Sequence, residues 1–431
     1  MDQLMDKIGD AISPIATKMT ANRYLSAIKE GFFGSTPILI AGSIFLLFTS
    51  LPFTGYAEFM AGIFGEGWMD FFYLPYQASF NLMSIYVIVG MARSLADYYK
   101  VDSKLAIGLS FVSVFVLTPL IYDPNNVKGL PLDNFAARGL FVCMIATAIS
   151  VEIYRLCVQK NITIKMPDSV PQNVSNAFAA VIPAFAIIVL FNVLRTLFAM
   201  TDYGSLQNFI FTILQQPLQS LGGSLPATVI ALLVEAIIWC FGIHGSSIVS
   251  SVMNPIWYAL SAENLAAVEA GLAMPHIVNY QFISFFVKLG GVGATLSLTL
   301  LCLFSAKSDQ YKALGKLGIG SSLFNINEPI IFGFPIILNP MMMIPFVIAN
   351  ITVGIVTYTA IWSGIVPYIN GVNLPYTIPA IISGFMLCGW RGALLQVVLL
   401  VITGLIYYPF FKAQDKQAYE EEQQKKNELT A

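Results

Sequence analysis

Two short polar motifs stand inside otherwise apolar stretches of this sequence, and their side chains could do chemistry. Residues 241–247 read Phe-Gly-Ile-His-Gly-Ser-Ser, and residues 324–330 read Phe-Asn-Ile-Asn-Glu-Pro-Ile. Glu328 is the only charged residue between positions 317 and 390. A carboxylate in such a stretch is costly to bury unless it is paired. His244 is the partner that we name for it.

These groups share the ability to bind hydroxyl groups. The side chains of Glu328, His244 and Asn327 can hydrogen-bond the hydroxyls of a sugar. Gly245 would let a ligand approach the backbone closely, and Ser246 adds a further hydroxyl. An ionisable group inside a membrane segment indicates a functional site by default. The alternative is a pair of kinked helices with no ligand role.

Four further residues allow two interpretations each. Glu235 lies in the middle of an apolar segment and is either a second polar site residue or the partner of a group on another helix. Lys288 could face a cavity or a phosphate, or it could mark an interface. Tyr376 and Trp390 could stack on sugar rings, but aromatic residues also collect at membrane interfaces. Other charges have helical spacing that favours local ion pairs; these are Arg93 with Asp97 and Glu152 with Arg155.

The composition is that of a membrane protein. The chain is 57% hydrophobic and only 11% charged, whereas soluble domains carry about 25% charged residues. The net charge of −2 gives no indication of nucleic-acid binding. Five cysteines lie in apolar stretches without C-x-x-C spacing, so we interpret them as buried hydrophobic residues and predict neither a metal nor a cofactor.

Apolar length and basic residues predict the first five membrane spans. A spanning helix needs about 20 mostly apolar residues. The predicted spans are 31–52, 71–92, 105–122, 139–158 and 177–194. The loop 53–70 contains no Lys or Arg and is expected outside, whereas the basic amino-terminal segment is expected in the cytoplasm. No signal peptide precedes the first span, which must act as its own insertion signal.

The second half is less regular. Its predicted spans are 226–241, 289–306, 341–362, 377–390 and 392–411. Two apolar segments near 242–260 and 318–340 are interrupted by Gly, Asn, Ser and Pro. Non-helical backbone survives at membrane depth only where protein buries it or a polar cavity is nearby, so we expect the binding site there. The number of crossings between the basic cluster at 307–316 and the charged carboxyl terminus stays open.

These segments predict five regions. An apolar stripe formed by Leu206, Phe209, Ile210, Ile213 and Leu214 indicates an interfacial helix between the two halves. The regions are an amphipathic cytoplasmic segment (1–30), a five-helix scaffold (31–200), an amphipathic connector (201–223), a transport domain (224–411) and a solvated cytoplasmic tail (412–431).

Three motifs carry a resemblance to a known family. Residues 242–245 read Gly-Ile-His-Gly, residues 290–296 read Gly-Gly-Val-Gly-Ala-Thr-Leu, and residues 327–330 read Asn-Glu-Pro-Ile. In this order the sequence resembles the enzyme IIC subunits of the lactose/cellobiose/diacetylchitobiose branch of the bacterial phosphotransferase system. The resemblance implies an all-α polytopic protein of about ten transmembrane helices, with two re-entrant hairpins, an interfacial amphipathic helix and a dimer formed by the first five helices.

The resemblance also implies a function and partners. His244 and Glu328 would contact a disaccharide near its 6-hydroxyl, with Asn327 beside them. A phosphocysteine on a separate IIB protein would phosphorylate the sugar. The IIA and HPr proteins would in turn supply the phosphoryl group to IIB. The protein would then lie in the bacterial inner membrane with both termini in the cytoplasm. Which disaccharide is carried, and whether Glu328 or His244 acts as the base, stays open.

Two other functions compete with this interpretation. An ion-coupled secondary transporter would use Glu328 and His244 as a proton relay and release unmodified sugar. A channel could use the glycine-rich segment 318–340 as a filter. The state of the product distinguishes them, because only the phosphotransferase system releases a sugar phosphate.

Overall fold

The protein is described here from a computed structural model of the chain. The structure describes residues 14, 18, 19, 21–49, 55–122, 127–167, 170, 171, 175, 178–334 and 336–430. The chain forms two compact units. The amino-terminal unit comprises residues 20–221 and 251–262, and the carboxyl-terminal unit comprises residues 1–19, 222–250 and 263–431. Most of the predicted amphipathic segment 1–30 lies outside the described residues.

The described part of the amino-terminal unit is helical apart from one short β-hairpin. The hairpin pairs β1 (Ile121–Tyr122) with β2 (Lys128–Gly129). The helices are α1 (Arg23–Thr49), α2 (Tyr56–Phe64), α3 (Trp68–Phe80), α4 (Met83–Tyr99), α5 (Ser103–Leu117), α6 (Leu140–Gln159), α7 (Val181–Ala199) and α8 (Leu206–Gly222). Helix α1 packs against α3 and α4, and α6 packs against α4, α5 and α7.

The first five predicted spans correspond to helices, and the division of the second span and the end of the third differ most from the prediction. The predicted span 71–92 is divided between α3 and α4, because Leu82 leaves the helical conformation. Helix α5 begins at Ser103, where the Asp102 side chain accepts hydrogen bonds from two backbone N–H groups. It ends at Leu117 and not at the predicted residue 122, since Thr118 precedes a proline and is extended.

Helix α8 turns polar side chains inward. Gln215 is buried and its Nε2 donates to the Ala137 carbonyl at 3.0 Å. Ile213 and Leu214 of the predicted apolar stripe are exposed. The stripe does not form one face, because residues 211–215 are π-helical and this shifts the helical register by part of a turn. Side-chain amides therefore attach α8 to the amino-terminal unit.

The carboxyl-terminal unit has fewer regular spans. Its elements are α9 (Leu225–Cys240), α10 (Gly245–Glu269, which runs through both units), a π-helical turn (Phe282–Val287), α11 (Leu296–Ser305), α12 (Asp309–Leu323), α13 (Glu328–Gly333), α14 (Pro340–Trp362) and α15 (Ile382–Thr430). Helix α9 packs against α14, α11 packs against α12, and both α11 and α14 contact α15. A buried cluster that includes Trp239, Phe346 and Phe411 holds these helices together.

Two expectations for this half are corrected by the structure. The segment 242–260 is not broken along its length, since α10 is continuous from Gly245 and accommodates Pro255. The expected span 289–306 is not one helix, because residues 288–295 form a buried loop and α11 has only 10 residues. The expected interruptions in 318–340 are present, between α12 and α13 and again before α14.

The predicted solvated tail 412–431 is helical as far as Thr430, and some of its side chains pack against the start of α12 while most of the others are exposed. Helix α15 extends to Thr430, with one non-helical residue at Gly389. Asp415 is 1% exposed and accepts hydrogen bonds from the backbone N–H groups of Lys307 and Ser308. Glu422 accepts two more from the first residues of α12. These carboxylates satisfy N–H groups that a helix start leaves without partners.

The fold is that of a multi-pass membrane protein. In the described part of the chain, five helical stretches are long and apolar enough to cross a bilayer. They are Trp68–Tyr99, Ala137–Gln159, Val181–Ala199, Pro340–Trp362 and Ile382–Asn427. Large apolar side chains such as Phe185 and Leu405 are about 70% exposed on these helices, as lipid contact requires.

Candidate functional site

A buried ion pair joins α9 to the loop that follows the π-helical turn. The Lys288 Nζ donates to Glu235 Oε1 at 2.7 Å, and the side chains are 10% and 1% exposed. An unpaired charge at such depth costs on the order of several kcal/mol. Of the two interpretations left open for Glu235, the structure therefore supports pairing. Its Oε2 atom is buried and makes no hydrogen bond within the described residues.

Gly245 brings the start of α10 against α9. A Cβ atom at Gly245 would lie 2.3 Å from the Glu235 carbonyl oxygen, which is closer than a methyl group can approach. Only glycine permits this contact, because it has no side chain. Gly245 is buried, so the structure gives it a packing role, and its contact with a sugar stays a prediction.

His244 caps the amino terminus of α10. Its Nδ1 accepts a hydrogen bond from the Ser247 N–H at 3.1 Å and lies 3.0 Å from the Ser247 hydroxyl. The imidazole contacts the Trp239 ring, and the Trp239 indole donates to the Ser246 hydroxyl at 3.1 Å. Because Nδ1 accepts from a backbone donor, this geometry favours the neutral imidazole with its proton on Nε2. His244 is exposed and oriented by its own helix.

Two asparagines of the second motif hold the glycine-rich loop 290–295. Asn325 Oδ1 accepts from the Gly290 N–H at 3.0 Å. Asn327 Nδ2 donates to the Val292 carbonyl and to the Thr295 hydroxyl, both at 2.8 Å. Gly290, Gly291 and Gly293 have positive φ angles, and a Cβ atom at Gly291 would collide with the Asn327 side chain. The loop conformation therefore requires glycine, and both Asn327 amide hydrogens serve structure.

The same motif positions Tyr376. Asn325 Nδ2 donates to the carbonyls of Tyr376 and Ile378 at 2.7 and 3.1 Å. The Tyr376 backbone is therefore held by the motif that contains Glu328, and its contact with a sugar stays a prediction.

Glu328 is the first residue of α13 and has an unused acceptor. Its Oε2 atom is buried and makes no hydrogen bond within the described part of the chain. A buried carboxylate oxygen without a partner can accept a further hydrogen bond. The hydrogen bonds described for His244 do not include Glu328, so the proposed pairing of these residues stays a prediction.

Trp390 contacts Arg391 and an apolar cavity, and its described contacts do not include the polar residues above. It is 65% exposed, stacks with the Arg391 guanidinium and borders an apolar cavity whose lining includes Ile365 and Leu394. None of the site residues above lines this cavity. The interfacial interpretation of Trp390 therefore fits its surroundings better than sugar stacking.

Sequence reasoning missed several residues of this arrangement. Asn350 Oδ1 accepts from the Gly293 N–H, and its Nδ2 donates to the Leu232 carbonyl. The Tyr407 hydroxyl donates to the Gly293 carbonyl. A single asparagine in the apolar span 341–362 was the available signal, because an amide at membrane depth must find partners.

Comparison with known proteins identifies the family. The phosphotransferase system EIIC model matches residues 29–350. The chain belongs to the phosphotransferase system EIIC family. This EIIC protein is 40% identical over 436 residues to the cellobiose-specific EIIC component of Geobacillus stearothermophilus, covering 98% of this chain and 97% of that protein. It is 39% identical to the lichenan permease IIC component of Bacillus subtilis, covering 98% and 96% of the two chains.

A solved structure supports the same assignment. The crystal structure of the transporter ChbC, the IIC component of the N,N'-diacetylchitobiose-specific phosphotransferase system, matches with a TM-score of 0.91. It is 40% identical in sequence, and the match covers 96% of this EIIC protein and 98% of that chain. The family predicted from the three motifs is thereby confirmed.

Proposed function

We propose that this EIIC protein is the sugar permease of a phosphoenolpyruvate-dependent phosphotransferase system. It translocates a disaccharide of the cellobiose, diacetylchitobiose or lactose type and presents the 6-hydroxyl for phosphorylation. Family membership and the substrates named for its relatives support this proposal. Within the chain, the observation that carries it is the buried Oε2 atom of Glu328, which makes no hydrogen bond within the described residues.

The residues suit a site that orients a hydroxyl. Phosphoryl transfer depends mainly on positioning and on charge stabilisation. Glu328 accepts a hydrogen bond from the sugar hydroxyl, and either Glu328 or His244 takes its proton as the O–P bond forms. His244 can do so only once its Nδ1 has released the Ser247 N–H, because Nε2 carries the imidazole proton in the arrangement described above. The S–P bond of the phosphocysteine on the IIB protein breaks, and the thiolate leaves. Lys288 adds a positive charge near the carboxylates, which favours the approach of a phosphoryl group.

The number of membrane spans, the re-entrant hairpins, the sidedness of the termini and the dimer belong to the same proposal. About ten transmembrane helices and two re-entrant hairpins would place α13 and the loop 290–295 at membrane depth. Both termini would lie in the cytoplasm of a bacterium, where a separate IIB protein, supplied by IIA and HPr, meets the bound sugar. The amino-terminal unit would form the homodimer. Exposed apolar side chains on α7, such as Phe185 and Val193, suit either lipid or a second copy.

Binding and phosphorylation by wild type and variants test the proposal. Purified protein is incubated with labelled cellobiose, diacetylchitobiose and lactose, and binding is measured for wild type, Glu328→Gln, His244→Ala and the exposed-residue control Glu66→Gln. Loss of an oriented hydrogen bond to a charged group should weaken binding about tenfold or more in the first two variants. Unchanged binding in both would remove these residues from the site.

The state of the product tests the competing function. Proteoliposomes with external labelled sugar receive phosphorylated IIB protein inside. A permease of this system accumulates sugar phosphate, whereas an ion-coupled secondary transporter releases unmodified sugar in response to a pH gradient and needs no IIB protein. Uptake of unmodified sugar driven by the gradient alone would replace the proposal with that alternative.

A further inference from the structure

A cluster of charged and aromatic residues lies near the carboxyl end of α6 in the amino-terminal unit. Arg155 donates to Glu152 Oε2 at 2.6 Å, and Arg23 Nε lies 3.8 Å from Glu152 Oε1. The hydroxyls of Tyr24 and Tyr99 both donate to Glu152 Oε1. Two guanidinium groups thus share one carboxylate, so the cluster keeps an excess positive charge.

The arginines retain donors that the protein does not use. The Nε atoms of Arg23 and Arg155 are buried and make no hydrogen bond within the described residues. Both guanidinium groups lie over the Tyr99 ring, at 5.4 and 4.8 Å from its centre. Buried donors without partners are rare in folded proteins. An anion would instead reach the solvent-facing N–H groups of the same guanidiniums, since the two side chains are 39% and 24% exposed, and arginine suits phosphate in particular.

An apolar cavity of about 360 Å³ adjoins the cluster. Tyr24 belongs to both, because its ring lines the cavity while its hydroxyl donates to Glu152. Ala148 also lines the cavity and lies one helical turn before Glu152 on α6. The other lining residues are mostly apolar and include Ile28, Met91, Met144 and Leu218.

We propose that this place is a binding site for an anionic glycerophospholipid. Its phosphate would contact Arg23 and Arg155, and part of an acyl chain would occupy the cavity. A free phosphate would use the arginines but leave the cavity unfilled. An apolar partner would fill the cavity but leave the excess positive charge without a counterion. Only a lipid with an anionic headgroup matches both the arginine cluster and the apolar cavity. Anionic lipids also concentrate at the cytoplasmic face, where this cluster is predicted to lie.

Native mass spectrometry of the full-length protein tests the site. Detergent-solubilised wild type is titrated with dioleoylphosphatidylglycerol and, separately, with dioleoylphosphatidylcholine. The double variant Arg23→Gln/Arg155→Gln removes the charge, and Ala148→Phe fills the cavity without touching the charged groups. Arg93→Gln is the matched control, because Arg93 is 72% exposed and pairs only with Asp97 among the contacts described for it.

Wild type and the Arg93 control should retain one phosphatidylglycerol with about tenfold preference over phosphatidylcholine. The double arginine variant should lose this preference, and Ala148→Phe should lose the bound lipid while keeping a wild-type unfolding temperature. Equal retention of both lipids, or unchanged retention by Ala148→Phe, would overturn the proposal. Displacement of the lipid by millimolar inorganic phosphate would assign the arginines to a free anion, and a protein dimer dissociated by Ala148→Phe would assign the cavity to a second copy.

Discussion

The carboxylates of the site have different surroundings, and the difference separates their roles. Glu235 is paired with Lys288 through Oε1, whereas the ion pairs of the described residues do not include Glu328; the Oε2 atom of each carboxylate is buried and makes no hydrogen bond within those residues. A paired buried charge organises structure, since its loss leaves the partner uncompensated. A carboxylate outside the described ion pairs instead keeps its acceptors for a ligand. We therefore expect that replacing Glu235 mainly lowers the stability of the protein, whereas replacing Glu328 mainly weakens sugar binding.

Removing one member of the Glu235–Lys288 pair should be strongly destabilising. Glu235→Gln and Lys288→Met should each cost about 3–5 kcal/mol of unfolding free energy, because each leaves a buried charge without its partner. The double variant should recover much of this loss. The measurement is a double-mutant cycle of unfolding in detergent, with the exposed pair Arg93–Asp97 as control, whose coupling should stay below about 1 kcal/mol. Single variants as stable as wild type would show that the ion pair does not form.

Elements whose length and apolar content set their structure could be predicted from the sequence. Helices α1, α6, α9 and α14 follow directly from apolar runs, since a bilayer imposes about 20 residues per span. The loop 288–295 could not be predicted, because apolar glycine-rich backbone resembles a span until the asparagines that bind it are known.

The candidate site and its surroundings also contain features that the sequence predicts and features that it does not. Glu328 stands out in the sequence as the only charge in a long apolar stretch, and its Oε2 is buried without a hydrogen bond in the described part of the chain. Its role in sugar binding stays a prediction. The packed role of α15 was not predictable, since the charged composition of 412–431 is also that of a solvated tail. Its capping contacts join residues about 110 positions apart along the chain. Local pattern carries no information on such partners.

Asp415 should stabilise the start of α12 from α15. Asp415→Asn keeps the shape but brings amide donors toward the N–H groups of Lys307 and Ser308. We expect a loss of about 1–3 kcal/mol and faster hydrogen exchange at residues 307–311. Glu420→Gln on the same helix is the control, because Glu420 is 61% exposed. Equal exchange at 307–311 in the two variants would mean that the cap contributes nothing.

The contacts of Asp415 also bear on topology. Lys307 and Asp415 touch, so the segments that contain them lie on the same side of the membrane. The number of crossings between them must then be even. Helices α14 and α15 are long enough to cross, whereas α13 has six residues. We infer that α14 and α15 are the two crossings and that α12 and α13 enter and leave on one side, as a re-entrant hairpin does.

Labelling of single introduced cysteines tests this topology for the whole molecule. The five native cysteines are buried, so wild type should give a low background with a membrane-impermeant maleimide. Glu66→Cys lies in a loop without Lys or Arg and should be labelled on intact cells. Gln424→Cys, on the helix that caps α12 beside a basic cluster, should be labelled only after lysis. Labelling of both positions on intact cells would place the carboxyl terminus outside, and a IIB protein in the cytoplasm could not then meet this end of the permease.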